Sequence, residues 1–359
     1  LYYRKENLRF EKNKMKKKTV ADHDPTAADR KKDHIELALR AQVTQNDDRF
    51  YYEPLFSPHR KPENLPPFEF LGKTHRAPLW VSSMTGGTEM SRIINRNLAR
   101  ACADFGFGMG LGSCRQLLFS NEYFEDFNIR PIIGDGLPLF ANLGIAQLER
   151  LIDSNELFLI EKMVVKLRAD GLIIHVNPLQ EWLQPEGDRF QRAPIETIET
   201  VVNWAEKFQI PIIVKEVGQG FGKKSLEKLL QMPLAALDFA AAGGTNFSKI
   251  ELYRSNEMAA NTYESVTKLG HNALEMVDFC NELVEKLGDQ RRCHELIISG
   301  GINNFLDGFY LIKKSKLPAV YGQASAFLQH ARGSYDELAD YIHLQINGLA
   351  LAESFLTLR

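Results

Sequence analysis

Cysteine is scarce in this 359-residue sequence, and the four present, Cys102, Cys114, Cys280 and Cys293, show neither CxxC spacing nor a paired-histidine pattern. That argues against a zinc site or a disulfide framework and fits a reducing cytoplasm. No run approaches the roughly 18 to 20 uninterrupted apolar residues needed to cross a bilayer. The amino terminus also lacks an apolar signal core followed by small residues. Neither charge is in excess: 44 Lys plus Arg against 46 Asp plus Glu leave a formal charge of −2, with no basic field for nucleic acid. The expectation is a cytoplasmic protein without membrane or nucleic-acid partners. Small anionic substrates stay open, because they need only a local positive pocket.

What is present is enough apolar material, 44% of residues, to fill a large core. The first 18 residues carry eight Lys or Arg against two Glu, and the chain does not begin with Met, so Met15 is a candidate start. Residues 1–28 are read as a basic, solvated, disordered arm, with a nucleic-acid or membrane arm as the alternative. Residues 29–359 are read as one domain. After a Pro-rich linker, "SPHRKPENLPPF" at 57–68, a strand-then-helix rhythm begins. Apolar runs of strand length fall at 79–84, about 105–113, 138–144, 171–177, 211–218, 235–243, 295–301 and 319–325. Segments of helical period such as "EMSRIINRNLARACADFG" lie between them.

Eight such units at a mean spacing of roughly 34 residues predict a closed (β/α)8 barrel of the TIM type. It carries an amino-terminal extension and a long insertion after strand six, at 244–295. The second, glycine-laden run is the weakest strand. A doubly wound sheet is the alternative, and the lack of GxGxxG after the first strand counts against it.

Each run ends in glycine or in compact polar residues, and in a barrel those ends converge on one mouth. "SGGI" (299–302) and "VYGQAS" (320–325) close the last two strands, where backbone N–H groups cradle phosphates, although ordinary turn glycines would read the same way. Lys215, closing "IIVK", either pairs with an acid such as Glu216 or faces an anionic ligand. Alternation forbids both Lys215 and Glu216 from pointing into the barrel. His175 and Asn177 share a face, with Gln180 and Glu181 in the loop beyond. Glu181 is either a loop acid or a carboxylate suited to Mg²⁺. Arg30, Lys31, Lys32 and His34 form either a solvated face or a diphosphate clamp.

The motifs "RKKDHI", "FEFLGKTHRAPLWVSSMTGG", "GLGSCR", "ANLG", "HVNPLQE", "VKEVGQG", "AAGGT" and "SGGI" occur in this order. In order and spacing, from about residue 29 to 328, the chain resembles the type II, FMN-dependent isopentenyl diphosphate isomerases. The resemblance implies a substrate diphosphate held by Arg30 and Lys31 with His34 nearby, and a substrate side lined by Ser113, Arg115, His175, Asn177 and Gln180. FMN would be held at Met84, Thr85, Gly86, Ser113, Asn142, Lys215 and Thr245. Its phosphate would sit at Gly300, Gly301, Ile302, Gln323 and Ala324, with Mg²⁺ on Glu181. NADPH or NADH would reduce the flavin, and a homo-oligomer, a tetramer or larger, is implied. Cys114 stands where the pattern has Gln, Asn246-Phe247 where it has Ser-Trp, and the strand-eight segment "YGQASAFLQHA" is also atypical.

The implied reaction converts isopentenyl diphosphate to dimethylallyl diphosphate, with reduced FMN as the acid and base. Two other readings stand beside it. One is an FMN-dependent 2-hydroxy-acid oxidoreductase on a similar barrel, for which His294 lies at the wrong end of strand seven. The other is a flavin-binding protein without turnover, for which "HVNPLQE" and "RKKDHI" have no use.

Overall fold

The computed structural model describes residues 27–83, 86 and 88–359. The basic arm up to residue 26, and with it Met15, lies outside the described residues, as do Met84, Thr85 and Gly87. The chain divides at residue 48 into two compact units. The described part of the first contains one helix, α1 (Ala27–Leu37), in which Lys32 and Glu36 form an i,i+4 ion pair at 3.8 Å.

The second unit, residues 49–359, is built on eight parallel strands: β1 (Leu79–Val81), β2 (Gly108–Gly110), β3 (Leu139–Gly144), β4 (Gly171–His175), β5 (Ile212–Lys215), β6 (Ala236–Asp238), β7 (Leu296–Ser299) and β8 (Ala319–Gln323). They close into a barrel in the order β7-β8-β1-β2-β3-β4-β5-β6. Every predicted run contains one of these strands. The second and the sixth contract most, each to three residues; the second does so because Phe105 still belongs to the preceding helix, α2 (Glu89–Phe105), which Gly106 ends at φ 76°. The insertion after β6 is itself helical: α3 (Phe247–Arg254), α4 (Glu257–Tyr263) and a 3-10 turn at Glu264–Lys268 precede the covering helix α5 (Ala273–Leu287). Among the described residues, no helix is long and apolar enough to cross a membrane.

Strand alternation sorts the barrel into layers. One face of the strands packs against the helices. The other fills the barrel interior with Trp80, Phe140, Ile173, Ile213, Ala236, Ile297 and Val320. The amino-terminal end is closed by a hairpin, Phe68–Phe70 with Lys73–His75, whose Phe70 joins this interior cluster. The hairpin is tied to residues just before two strands: Leu71 N donates to Glu295 Oε2 at 2.8 Å, and Lys73 Nζ meets Asp170 Oδ1 at 2.5 Å. His75 is fully buried there against Phe68 and Phe70, with neither ring nitrogen hydrogen-bonded.

Two residues further along each strand, the inward positions change character. Above the apolar interior stand Ser82, Gly110, Asn142, His175, Lys215, Asp238, Ser299 and Gly322. The carboxyl end of the barrel is therefore roofed by polar side chains and by glycines. A Cβ on Gly322 would meet Ser82 Oγ at 2.6 Å, and one on Gly110 would meet Ser83 Oγ at 2.7 Å, so both positions need the missing side chain.

Candidate active site

Register brings three members of this polar layer into a row. His175 on β4 is the Cα partner of Lys215 on β5, and Lys215 is the partner of Asp238 on β6. Lys215 is buried, and its ammonium donates to Glu216 O at 2.5 Å. The Glu216 carboxylate points elsewhere. Its Oε2 accepts from Val217, Gly218 and Gln219 N at 2.6 Å and from Gly220 N at 3.1 Å, so it ties down the loop that follows β5. This answers the question posed by the adjacent charges: the acid serves the loop and the base faces inward.

Lys215 lines a cavity of about 310 Å³ at the barrel mouth, together with Thr245, Gly300, Gly301, Ile302, Gln323 and Ala324. Seven predicted cofactor residues from four strand ends therefore share one wall. The glycines are steric requirements: Gly300 has φ +89°, and a Cβ there would lie 2.1 Å from Ala241 O. Gly244 packs edge-on against Gly301, its Cβ position 3.1 Å from Gly301 N. The Gln323 side chain is committed to holding the wall, donating to Ile302 O at 3.2 Å and accepting from Tyr341 Oη at 3.0 Å. What Gln323 offers a ligand is therefore backbone.

Sequence reasoning missed Ser82, Ser83 and Phe247 in this wall. Both serine hydroxyls are buried without a partner, which leaves donors free at the cavity edge. Their signal was the "SSMTGG" motif itself, read only from Met84 onward.

The remaining predicted residues stand on neighbouring strand ends. Asn142 Nδ2 donates to Leu111 O at 3.0 Å, which fixes the amide so that its Oδ1, 2.7 Å from His175 Nδ1, is the acceptor. His175 therefore carries its proton on Nδ1 and presents Nε2 as a lone pair. Burial, then the charge of Lys215, then that of Arg115, push its pKa down to about 3. Ser113 and Arg115 are exposed in the segment after β2, whereas Cys114 between them is fully buried and its thiol is pushed up to about 12. Gly86 packs on Phe127, whose ring would lie 2.1 Å from a Cβ at that position.

Asn177, Gln180 and Glu181 cluster around the short helix Pro178–Leu183. Asn177 Nδ2 donates to Gln180 Oε1 at 3.2 Å and to Glu181 Oε1 at 3.0 Å, while Glu181 Oε2 accepts from Asp188 N at 2.7 Å. Gln180 Nε2 donates to Glu251 Oε1 at 3.2 Å, which links this helix to α3 of the insertion. Glu251, a buried acid missed from sequence, also binds Arg254. Among the described residues, no group of three His, Cys, Asp or Glu side chains is placed to hold a metal. A carboxylate outside any such group, as Glu181 is, suits a hydrated Mg²⁺ that takes one or two protein carboxylates and otherwise water and phosphate oxygens. Arg30, Lys31 and His34 lie on α1 in the amino-terminal unit. His294 precedes β7 and contacts Arg291, so it supplies no base at the mouth.

No protein-family model matches the chain. Among solved structures, a flavocytochrome b2 variant with benzoylformate superposes with a TM-score of 0.57 at 14% identity, covering 91% of this chain and 85% of that one. A mandelate oxidase variant with a monooxide FMN adduct superposes at 0.51 and 13% identity, covering 87% and 88%. At such identities the likeness concerns the fold. Sequence relatives are nearer: the isopentenyl-diphosphate delta-isomerase of Rickettsia typhi (strain ATCC VR-144 / Wilmington) is 33% identical over 331 residues, covering 90% of this chain and 92% of the relative. That of Rickettsia africae (strain ESF-5) is 35% identical over 329 residues, again covering 90% and 92%. With the (β/α)8 barrel and the polar mouth already in place, this likeness along nearly its whole length assigns the chain to the isopentenyl-diphosphate delta-isomerase family.

Proposed function

We propose that the protein isomerises isopentenyl diphosphate to dimethylallyl diphosphate with reduced FMN in the mouth cavity, Mg²⁺ on the diphosphate, and NAD(P)H as the source of reducing equivalents. One observation carries the FMN assignment: Lys215, Thr245 and the glycine turns after β6 and β7 line a single cavity with two unpartnered serine hydroxyls. A cation, free hydroxyls and closely approachable backbone are what a phosphorylated, hydrogen-bonding ring system needs. The glycine wall and the backbone of Gln323 and Ala324 are assigned to the phosphate, with Lys215 and Thr245, and Met84, Thr85, Gly86, Ser113 and Asn142, assigned to the rest of the cofactor.

The reaction adds a proton to one end of an unactivated alkene and removes one from an allylic carbon, which calls for a strong acid and a dry, electron-rich site. When bound, reduced flavin supplies a face that gives and takes a proton, and electron density that stabilises developing positive charge. The protein's residues do the placing. His175 stays neutral and accepts a hydrogen bond at Nε2. Asn177 and Gln180 orient the substrate through their amides, Arg115 and Ser113 close its side, and Glu181 holds Mg²⁺. Arg30, Lys31 and His34 are assigned to the diphosphate on their chemistry alone. With its substrate anchored by the diphosphate, the enzyme converts remote binding energy into orientation of the reacting carbons.

The purified protein should show a flavin spectrum. It should isomerise the substrate only when FMN, Mg²⁺ and NAD(P)H are all supplied. A protein that binds no flavin, or that oxidises a 2-hydroxy acid while leaving isopentenyl diphosphate untouched, would overturn the reading. We further read the protein as a cytoplasmic homo-oligomer, which light scattering on the purified enzyme checks.

A further inference from the structure

Asp238 is the acid of the polar layer, and none of the roles assigned above uses it. It is fully buried at the end of β6, beside Lys215 in the strand register. Its Oδ1 pairs with Ser299 Oγ at 2.5 Å, and that oxygen in turn accepts from Ala240 N at 2.9 Å. The only proton serine has to give is thus directed at Asp238. Asp238 Oδ2 has no hydrogen-bond partner.

A buried carboxylate with one oxygen unmet is costly unless a cation answers it. The groups near Asp238 in this layer, from the adjoining strands β5 and β7 and from β4 beyond β5, are few. β4 brings His175, held neutral, and β7 brings Ser299. β5 brings Lys215, together with Glu216, whose carboxylate is taken up by its own loop. Burial pushes the Asp238 carboxyl above its usual range, and among the described residues Lys215 is the one cation that opposes that rise, acting from the neighbouring strand while its ammonium donates to Glu216 O.

We propose that Asp238 is a positioning residue for Lys215: it is the counter-charge that keeps the ammonium inside the barrel and sets the net charge the cavity presents to a bound flavin. The inference rests on the FMN reading above and goes beyond it. With Asp238 ionised, the pair is neutral toward oxidised flavin. Without that charge, Lys215 stands alone and favours the anionic, reduced form.

The test compares wild type with Asp238→Asn, which keeps the acceptor for Ser299 and removes the charge. Asp238→Asn should bind reduced FMN at least tenfold more tightly, relative to oxidised FMN, than wild type does. That ratio raises the midpoint potential by about 30 mV for a two-electron couple. A second measurement uses the flavin-free protein. Lys215→Met should lose stability in urea by leaving Asp238 unanswered, and Lys215→Met with Asp238→Asn should regain it. A midpoint potential unchanged in Asp238→Asn, or a double variant no more stable than Lys215→Met, would overturn the inference. Failure of wild type to take up FMN would sink the functional reading instead, and the stability comparison would still decide whether Asp238 answers Lys215.

Discussion

His175 Nδ1 lies 2.7 Å from Asn142 Oδ1, and the Asn142 amide is held in that orientation by its own bond to Leu111 O. The pair fixes the tautomer of a histidine whose pKa is depressed to about 3. His175 is therefore neutral throughout the range in which the enzyme is assayed. We expect kcat/KM to show no ionisation between about pH 5 and 8 that disappears in His175→Gln. Asn142→Ala should cost about 1 kcal/mol of stability for the lost bond and should weaken substrate binding. A pH break near the ordinary histidine value that vanishes with His175 would contradict the assignment.

Glu216 gathers four backbone N–H groups of the loop that brings Val217 and Gly218 to the cavity wall. Glu216→Ala leaves those donors without an acceptor and should lower stability by about 3 kcal/mol. The loosened wall should also weaken FMN binding by tenfold or more. Urea denaturation and fluorescence titration read the two effects, and FMN affinity equal to wild type would mean the loop holds its shape without the carboxylate.

Glu181 can be neutralised at nearly constant shape by Gln, which can still accept from Asp188 N but gives up the acceptor that Glu181 Oε1 offers Asn177 Nδ2. Glu181→Gln should raise the Mg²⁺ concentration needed for half-maximal activity by tenfold or more while leaving bound flavin intact. An unchanged metal requirement would remove its role as ligand.

His75, in the floor of the barrel, is pushed down to about 4 by burial, with neither nitrogen partnered. Its folded pKa lies below its unfolded one, so it stabilises the fold above the unfolded pKa of about 6.5. That contribution is lost as the pH falls through about 4, where the unfolded chain has bound the proton first. His75→Phe, whose ring fits between Phe68 and Phe70, should shift acid unfolding to lower pH and recover on the order of 2 to 3 kcal/mol near pH 4. Equal acid midpoints would show that His75 finds a partner in solution.

Much of this was legible in the sequence because parallel barrel strands are buried on both faces and read as continuous apolar runs. The polar residues that interrupt those runs, Asn142, His175 and Lys215, mark where the inward face meets the mouth. Asp238 carries a related signal, a lone charge inside the apolar run 235–243, but its meaning depends on the register that sets it beside Lys215. Glu216 was illegible for a different reason. Its partners are the N–H groups of its own loop, which converge only once Gly218 and Gly220 adopt φ +134° and +69°. The floor hairpin rests on pairs such as Leu71 with Glu295, which no local pattern encodes.

The two-stranded sheet formed by Phe50–Tyr52 and Leu356–Leu358 joins residues some three hundred positions apart in the chain. Such a pairing repays its loop-closure entropy only after everything between is in place. It is therefore expected to assemble last and to open first. Arg359 N still donates to Arg49 O at 3.1 Å, so the seam extends to the first residue of the barrel unit. Amide exchange should find this seam the least protected sheet of the unit, a local opening that leaves the mouth and its charges undisturbed.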